Sequence, residues 1–74
     1  MDPTANLAEQ RRITVGIMKI WDACPEDGHF TGTQEADLAR HAYRLAELVQ
    51  ALDAWMAGGG FLPDSWELAR KRAQ

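Results

Sequence analysis

Residues 38–57 read LARHAYRLAELVQALDAWMA and carry the strongest periodic signal in the chain. Residues that can pack on a core recur there at helical spacing in three rows, which together form one broad face. The first row is Leu38, Leu45 and Leu52, the second is Ala42, Val49 and Met56, and the third is His41, Leu48 and Trp55. A stripe of this period is typical of a core-facing helix. The stretch therefore predicts helix 2, from about residue 34 to residue 57.

The start of helix 2 has two candidate N-caps. Thr33 precedes Glu35 and Asp37, whose negative charges suit the amino end of a helix. Alternatively, Thr31 stands three residues before Gln34, which is the spacing of a capping box.

A second helical pattern lies upstream. Ile13, Ile17 and Trp21 recur at positions i, i+4 and i+8. Asp2 followed by Pro3 is a good start signal, because the carboxylate can cap free N–H groups and proline suits the first helical position. The segment CPEDGHFTGT (24–33) contains one proline and two glycines and predicts a break. Helix 1 is expected at about 3–23.

A short third helix is expected at about 64–73. Asp64 with Glu67 three residues later indicates a capping arrangement, and Arg70–Arg72 place positive charge in the last turn. Trp66, with Leu68 or Ala69, is expected to supply its buried contacts.

The joint between helices 2 and 3 is AGGGFLPDSW (57–66). Glycine just past a helix end can take the left-handed conformation of a C-cap. Phe61 and Leu62 are then expected to tuck under the joint, and Trp66 to close the end of the bundle. The alternative interpretation is a protein-binding edge, since exposed aromatic and arginine side chains make strong anchors; its candidate residues are Trp55, Phe61, Leu62, Trp66 and Arg70.

The 74 residues allow one helical domain, 1–74, with a small core. The predicted fold is all-α: a long antiparallel helical hairpin plus a short C-terminal helix. One hairpin and one short helix can hardly cover the apolar faces of helices 1 and 2. A homodimer with a four-helix-type core is therefore expected, with these residues in its seam: Ile17, Trp21, Leu45, Leu48 and Leu52.

Composition argues for a cytoplasmic protein without a membrane span. Cys24 is the only cysteine, which excludes a disulfide within the chain and suits a reducing compartment. No apolar run approaches membrane length, and MDPTANLAEQRR lacks a signal-peptide core. The formal net charge is −3 and the middle of the chain is acidic, so general nucleic-acid binding is disfavoured.

Chemistry-bearing residues are few. Cys24, His29 and His41 lack the paired spacing and the ligand number of a zinc site. Glu26 and Asp27 adjoin Gly28, which is typical of a solvated bend. No nucleophile signature is present, so neither catalysis, nor a metal, nor a cofactor is expected.

The stretch LAELVQALDAWMAGGGFLPDSW (45–66) resembles small, mostly uncharacterised helical proteins of actinobacteria and their bacteriophages, in which an amphipathic helix ends in G-G-F-L-P-x-x-W. The matching positions are Gly59 to Pro63 and Trp66, and with the preceding helix they cover less than a third of the chain. The resemblance implies a small accessory protein, phage-encoded or cellular, that binds a host or phage protein. It brings no catalytic residues.

The function expected from the sequence is therefore a non-enzymatic protein-interaction protein. The alternative is a small DNA-binding regulator that uses Arg70, Lys71 and Arg72, with Arg11 and Arg12 as further phosphate contacts. A carrier of a hydrophobic ligand is a third hypothesis, and it requires a cavity.

Overall fold

The computed structural model describes residues 1–24 and 28–73 and contains three helices, α1 (Pro3–Asp22), α2 (Gly32–Ala57) and α3 (Asp64–Ala73). No strand occurs in these two ranges. The all-α prediction is confirmed. The break expected at Pro25 and the bend expected at Glu26 and Asp27 lie outside the described residues.

Both long helices begin at polar caps. The Asp2 carboxylate accepts a hydrogen bond from the Ala5 amide at 3.1 Å, and Pro3 opens α1. At α2 the Thr31 hydroxyl accepts from the Gln34 amide at 3.1 Å, while the Gln34 side chain accepts from the Thr31 amide at 2.8 Å. This reciprocal pair is the capping box. Helix α2 therefore begins two residues earlier than expected, with Thr33 inside it.

Helices α1 and α2 pack antiparallel as a hairpin. Asn6 lies beside Leu48, and Gly16 lies beside the ring of His41, so partner numbers fall along α2 as they rise along α1. The His41 ring is half-buried and packs where α1 has no side chain; a Cβ on Gly16 would lie 3.4 Å from its Nε2. This close approach places His41 between the helices.

The core is small and mostly aliphatic. Leu7 and Ile13 of α1 and Leu48 and Leu52 of α2 are its buried apolar residues. Asn6 is buried among them and donates its Nδ2–H to the Leu48 carbonyl at 3.0 Å. The Asn6 Oδ1 accepts from the Gln10 side chain at 2.7 Å, so the buried amide is bonded on both sides.

The joint after α2 is a Schellman motif. The Gly60 amide donates to the Trp55 carbonyl at 2.8 Å, and the Gly59 amide donates to the Met56 carbonyl at 3.1 Å. Gly59 has φ of 89°, whereas the C-cap Gly58 has φ of −81°. The predicted left-handed glycine is therefore confirmed and is the second of the three.

Helix α3 is attached to the hairpin mainly at its first turn. The Asp64 amide donates to the Thr4 hydroxyl of α1 at 2.9 Å, and Arg11 donates to the Ser65 hydroxyl at 3.2 Å. Pro63, just before α3, is almost completely buried. Asp64 is thus the first helical residue, and the expected Asp64 cap is replaced by a hydroxyl from α1.

The described chain forms a single layer. Its principal extents are 48, 24 and 15 Å. Helix α3 has ten residues, about 15 Å at 1.5 Å per residue, and none of them is buried. It therefore covers one end of the hairpin and leaves the rest open.

Candidate protein-interaction surface

Of the five interaction candidates, Trp55 lies in the last turn of α2, Phe61 and Leu62 lie in the joint, and Trp66 and Arg70 lie in α3; we call this set the joint edge. Only some of them touch one another. Trp55 and Phe61 contact each other edge to face, with ring centroids 5.2 Å apart.

Trp55 organises the joint. A Cβ on Gly60 would overlap its indole ring, so the ring lies directly on the backbone of the turn. The indole Nε1–H donates to the Phe61 carbonyl at 2.9 Å. A side-chain contact across the end of the helix commonly accompanies a Schellman turn. Here Trp55 makes that contact with Gly60 and with the carbonyl group of Phe61.

The expectation that Phe61 tucks under the joint is wrong, because its side chain is 65% exposed. Trp55 occupies the space over the turn, and the Phe61 ring leans against the outside of that indole. Leu62 is half-buried and Pro63 is buried, so the chain enters the fold only after Phe61.

Trp66 borders an open pocket of about 300 Å³. The other lining residues come from α1 and α2 and are Gln10, Val49, Leu52, Asp53 and Met56. The Trp66 side chain is 40% exposed, so it forms one wall of this pocket and closes the end of the bundle only in part. The pocket is mainly apolar, with the Asp53 carboxylate and the Gln10 amide as its polar groups.

The rest of α3 is solvent-facing. Leu68 is 54% exposed and Ala69 is also exposed, so the prediction that one of them is buried is wrong. Arg70 is exposed and donates to the Glu67 carboxylate at 2.7 Å, one helical turn away. Lys71 and Arg72 have no acidic partner among the described residues.

The dimer-seam candidates differ in how deeply they are buried. Leu48 and Leu52 are buried inside the hairpin, so the single chain already accounts for their burial. Ile17 and Leu45 are half-buried. Trp21 is 55% exposed and meets Phe30 edge to face at 4.9 Å between centroids.

The ion pair between Glu9 and Arg44 shifts the pKa values of both residues. Arg44 donates to both carboxylate oxygens of Glu9, at 2.6 and 2.9 Å. This hydrogen bonding lowers the pKa of Glu9 below 4.5 and raises the pKa of Arg44. The pair joins α1 to α2 at a partly exposed position and has no reactive group beside it.

Candidate catalytic or metal groups do not converge. Within 1–24 and 28–73, no three His, Cys, Asp or Glu side chains are arranged to hold a metal ion. His41 packs on Gly16, and Cys24 is half-buried at the end of α1. None of the helices in the described ranges combines the length and apolarity that a membrane crossing requires.

Neither the stacking of Trp55 on the glycine turn nor the hydrogen bond between Thr4 and Asp64 was predicted from the sequence. The stacking had a local signal, namely a tryptophan two residues before the end of α2 followed by the glycines of the turn. The Thr4–Asp64 contact carried no such signal, because it joins residues 60 positions apart. Comparisons of the chain with models of protein families, with curated proteins and with solved structures found no match.

Proposed function

We propose that the chain is a small, non-enzymatic, cytoplasmic protein-interaction protein that binds another protein through the joint edge and the adjoining pocket. The observation that carries the proposal is the state of Phe61. Its side chain is 65% exposed, yet its ring and its carbonyl are both held by Trp55. A large side chain that is fixed before binding loses little entropy when a partner covers it.

The pocket beside Trp66 suits an apolar anchor from the partner. Val49, Leu52 and Met56 give it aliphatic walls, and its volume of about 300 Å³ can accept one large side chain. Asp53 adds a carboxylate to the lining. The expected partner surface is therefore an apolar side chain with a basic or amide group next to it, on a phage or host protein.

The DNA-binding alternative has less support. Helix α3 carries Asp64 and Glu67 in its first turn, and Glu67 pairs with Arg70. Within the described part of α3, only Lys71 and Arg72 keep a positive charge without an acidic partner, at the end of a ten-residue helix, and Arg11 donates to the Ser65 hydroxyl. With a net charge of −3 on the chain, attraction to a phosphate backbone is weak.

The test is capture of proteins from a cell extract by the immobilised chain, followed by affinity measurement with each purified partner. Phe61→Ala and Trp66→Ala are the test variants, and Tyr43→Ala is the matched control because Tyr43 is 71% exposed on α2. Loss of a central aromatic anchor typically costs about 2 kcal/mol or more. We expect the test variants to bind at least about tenfold more weakly and the control to bind normally.

Equal binding by all three variants would contradict the proposal. Binding of duplex DNA at low salt that disappears when Arg70, Lys71 and Arg72 are neutralised would favour the DNA-binding alternative instead.

A further inference from the structure

The half of the hairpin that α3 does not reach presents an apolar surface. Gln10 of α1 and Val49 of α2 line the same pocket, so they mark one face of the hairpin. Residues that follow Gln10 or precede Val49 at helical spacing continue this face away from α3. We call the apolar members of this set the open face; they are Ile17, Met18 and Trp21 on α1, and Leu38, Ala42 and Leu45 on α2.

Part of the open face is accessible to solvent. Met18 is 58% and Trp21 is 55% exposed, while Ile17, Leu38 and Leu45 are half-buried. Large apolar side chains at the surface are ordinary when they are scattered, but here they continue two adjacent helix rows. Glu9 and Arg44 form an ion pair that lies off this face. Glu9 is the residue just before Gln10 on α1, and Arg44 stands five residues before Val49 on α2, so neither has the helical spacing that defines the open face.

The exposed area of the chain is larger than a folded monomer of its mass should have. A monomer of 8.3 kDa is expected to expose about 4,600 Å², whereas this chain exposes 5422 Å². The excess of about 800 Å² equals the area that each partner buries in a stable protein–protein interface of standard size. The radius of gyration, 15.7 Å, likewise exceeds the value of about 11 Å for a compact domain of this length.

We infer that a second copy of this chain covers the open face, so that two hairpins pair face to face as a two-fold dimer with a four-helix core. Three observations identify the occupant. The six side chains that define the open face are apolar, so an identical set can pack against them without an opposite charge. The surplus area matches one side of a dimer interface. A single layer of helices gains a two-layer core by pairing with another such layer.

This inference does not depend on the proposed function, because the open face and the joint edge share no residue. The experiment is light scattering on a size-exclusion column with the full chain, over a dilution series. We expect twice the 8.3 kDa chain mass at high concentration and a fall toward the single-chain mass on dilution.

Met18→Glu and Trp21→Glu are the test variants. Both side chains are more than half exposed in one chain, so a single folded chain tolerates the change, but a charge in the centre of the seam opposes pairing. We expect both variants to have the single-chain mass at every concentration. Tyr43→Glu is the control: Tyr43 is more exposed and lies off the open face, so this variant should remain a dimer.

Thermal unfolding gives a second measurement that does not require the variants to fold. A dimer that forms on folding has a Tm that rises with protein concentration. We expect this rise in the unmodified chain, and no rise in any test variant that still unfolds cooperatively.

A monomer at all concentrations with a constant Tm would overturn the inference, as would Trp21→Glu and Met18→Glu variants that stay dimeric. Phe61→Ala should remain a dimer. Loss of its dimer would place the seam at the joint edge and would also overturn the inference, whereas a normal dimer that binds no other protein would count against the proposed function alone.

Discussion

Replacing Gly60 by alanine tests how the joint is built. The new Cβ would overlap the Trp55 indole, so the ring must leave the turn. The Nε1 hydrogen bond to Phe61, 2.9 Å long, would be lost, at about 0.5–1.5 kcal/mol. The edge-to-face contact between Trp55 and Phe61 would also be lost, at about 0.5–1.5 kcal/mol.

Alanine also restricts the unfolded chain, and this effect stabilises the folded state by about 0.4–1 kcal/mol. At the middle of these ranges the losses, about 2 kcal/mol together, exceed the gain, so the expected net destabilisation is about 1–1.5 kcal/mol. In a domain of this size each kcal/mol lowers Tm by about 4–8 °C. The assay measures unfolding by urea and by heat at one fixed protein concentration, with circular dichroism as the signal.

Gly32→Ala is the control for Gly60→Ala. Gly32 lies in the first turn of α2, its φ is not positive, and a Cβ there meets no atom within 4 Å. We expect this variant to be as stable as the unmodified chain or slightly more stable. If Gly60→Ala unfolded at the same urea concentration as Gly32→Ala, the stacking of Trp55 on the turn would be refuted.

Three further predictions concern the hairpin and the attachment of α3. Leu48→Asp places a charge in the core and should abolish folding, seen as loss of helical circular dichroism; a fully helical variant would show that the core is misplaced. Arg44→Gln should raise the pKa of Glu9 toward 4.5 in an NMR titration, and an unchanged pKa would contradict the ion pair. The Glu9 contribution to stability is present above pH 4.5 and is lost as pH falls through the lowered pKa; it should shrink in this variant, in which Arg12 still lowers the pKa of Glu9. Thr4→Val should speed hydrogen exchange of the Asp64 amide and lower stability by about 0.5–1.5 kcal/mol, while unchanged exchange would refute the bond between α1 and α3.

The helices were predictable because their signals are local. Apolar periodicity locates α2, and the Thr31–Gln34 spacing gives its cap, since both depend on residues within one or two turns. The burial of individual side chains was harder to predict than the helices themselves. Leu48, Val49 and Leu52 belong to one apolar stripe, yet Val49 is 48% exposed while the two leucines are buried. Leu48 faces α1, whose Asn6 bonds its carbonyl, whereas Val49 lines the open pocket, and the stripe does not encode which of its rows meets α1.

The joint shows the same limit at the scale of single side chains. Trp55 and Phe61 are both suited to cover a glycine turn, and their order in the sequence does not decide which one does so. The Schellman geometry decides it, because the turn folds back over the last residues of α2 and brings Gly60 under the indole. Phe61 then has only the outer side of that ring to pack against.

The hydrogen bond between Thr4 and Asp64 also makes α3 depend on the first turn of α1. Ten residues are too few to hold a helix in water alone, so α3 needs a surface to pack against. That surface begins with the Thr4 hydroxyl. A change that frays the start of α1 is therefore expected to loosen α3 as well, and with it the wall that Trp66 contributes to the pocket.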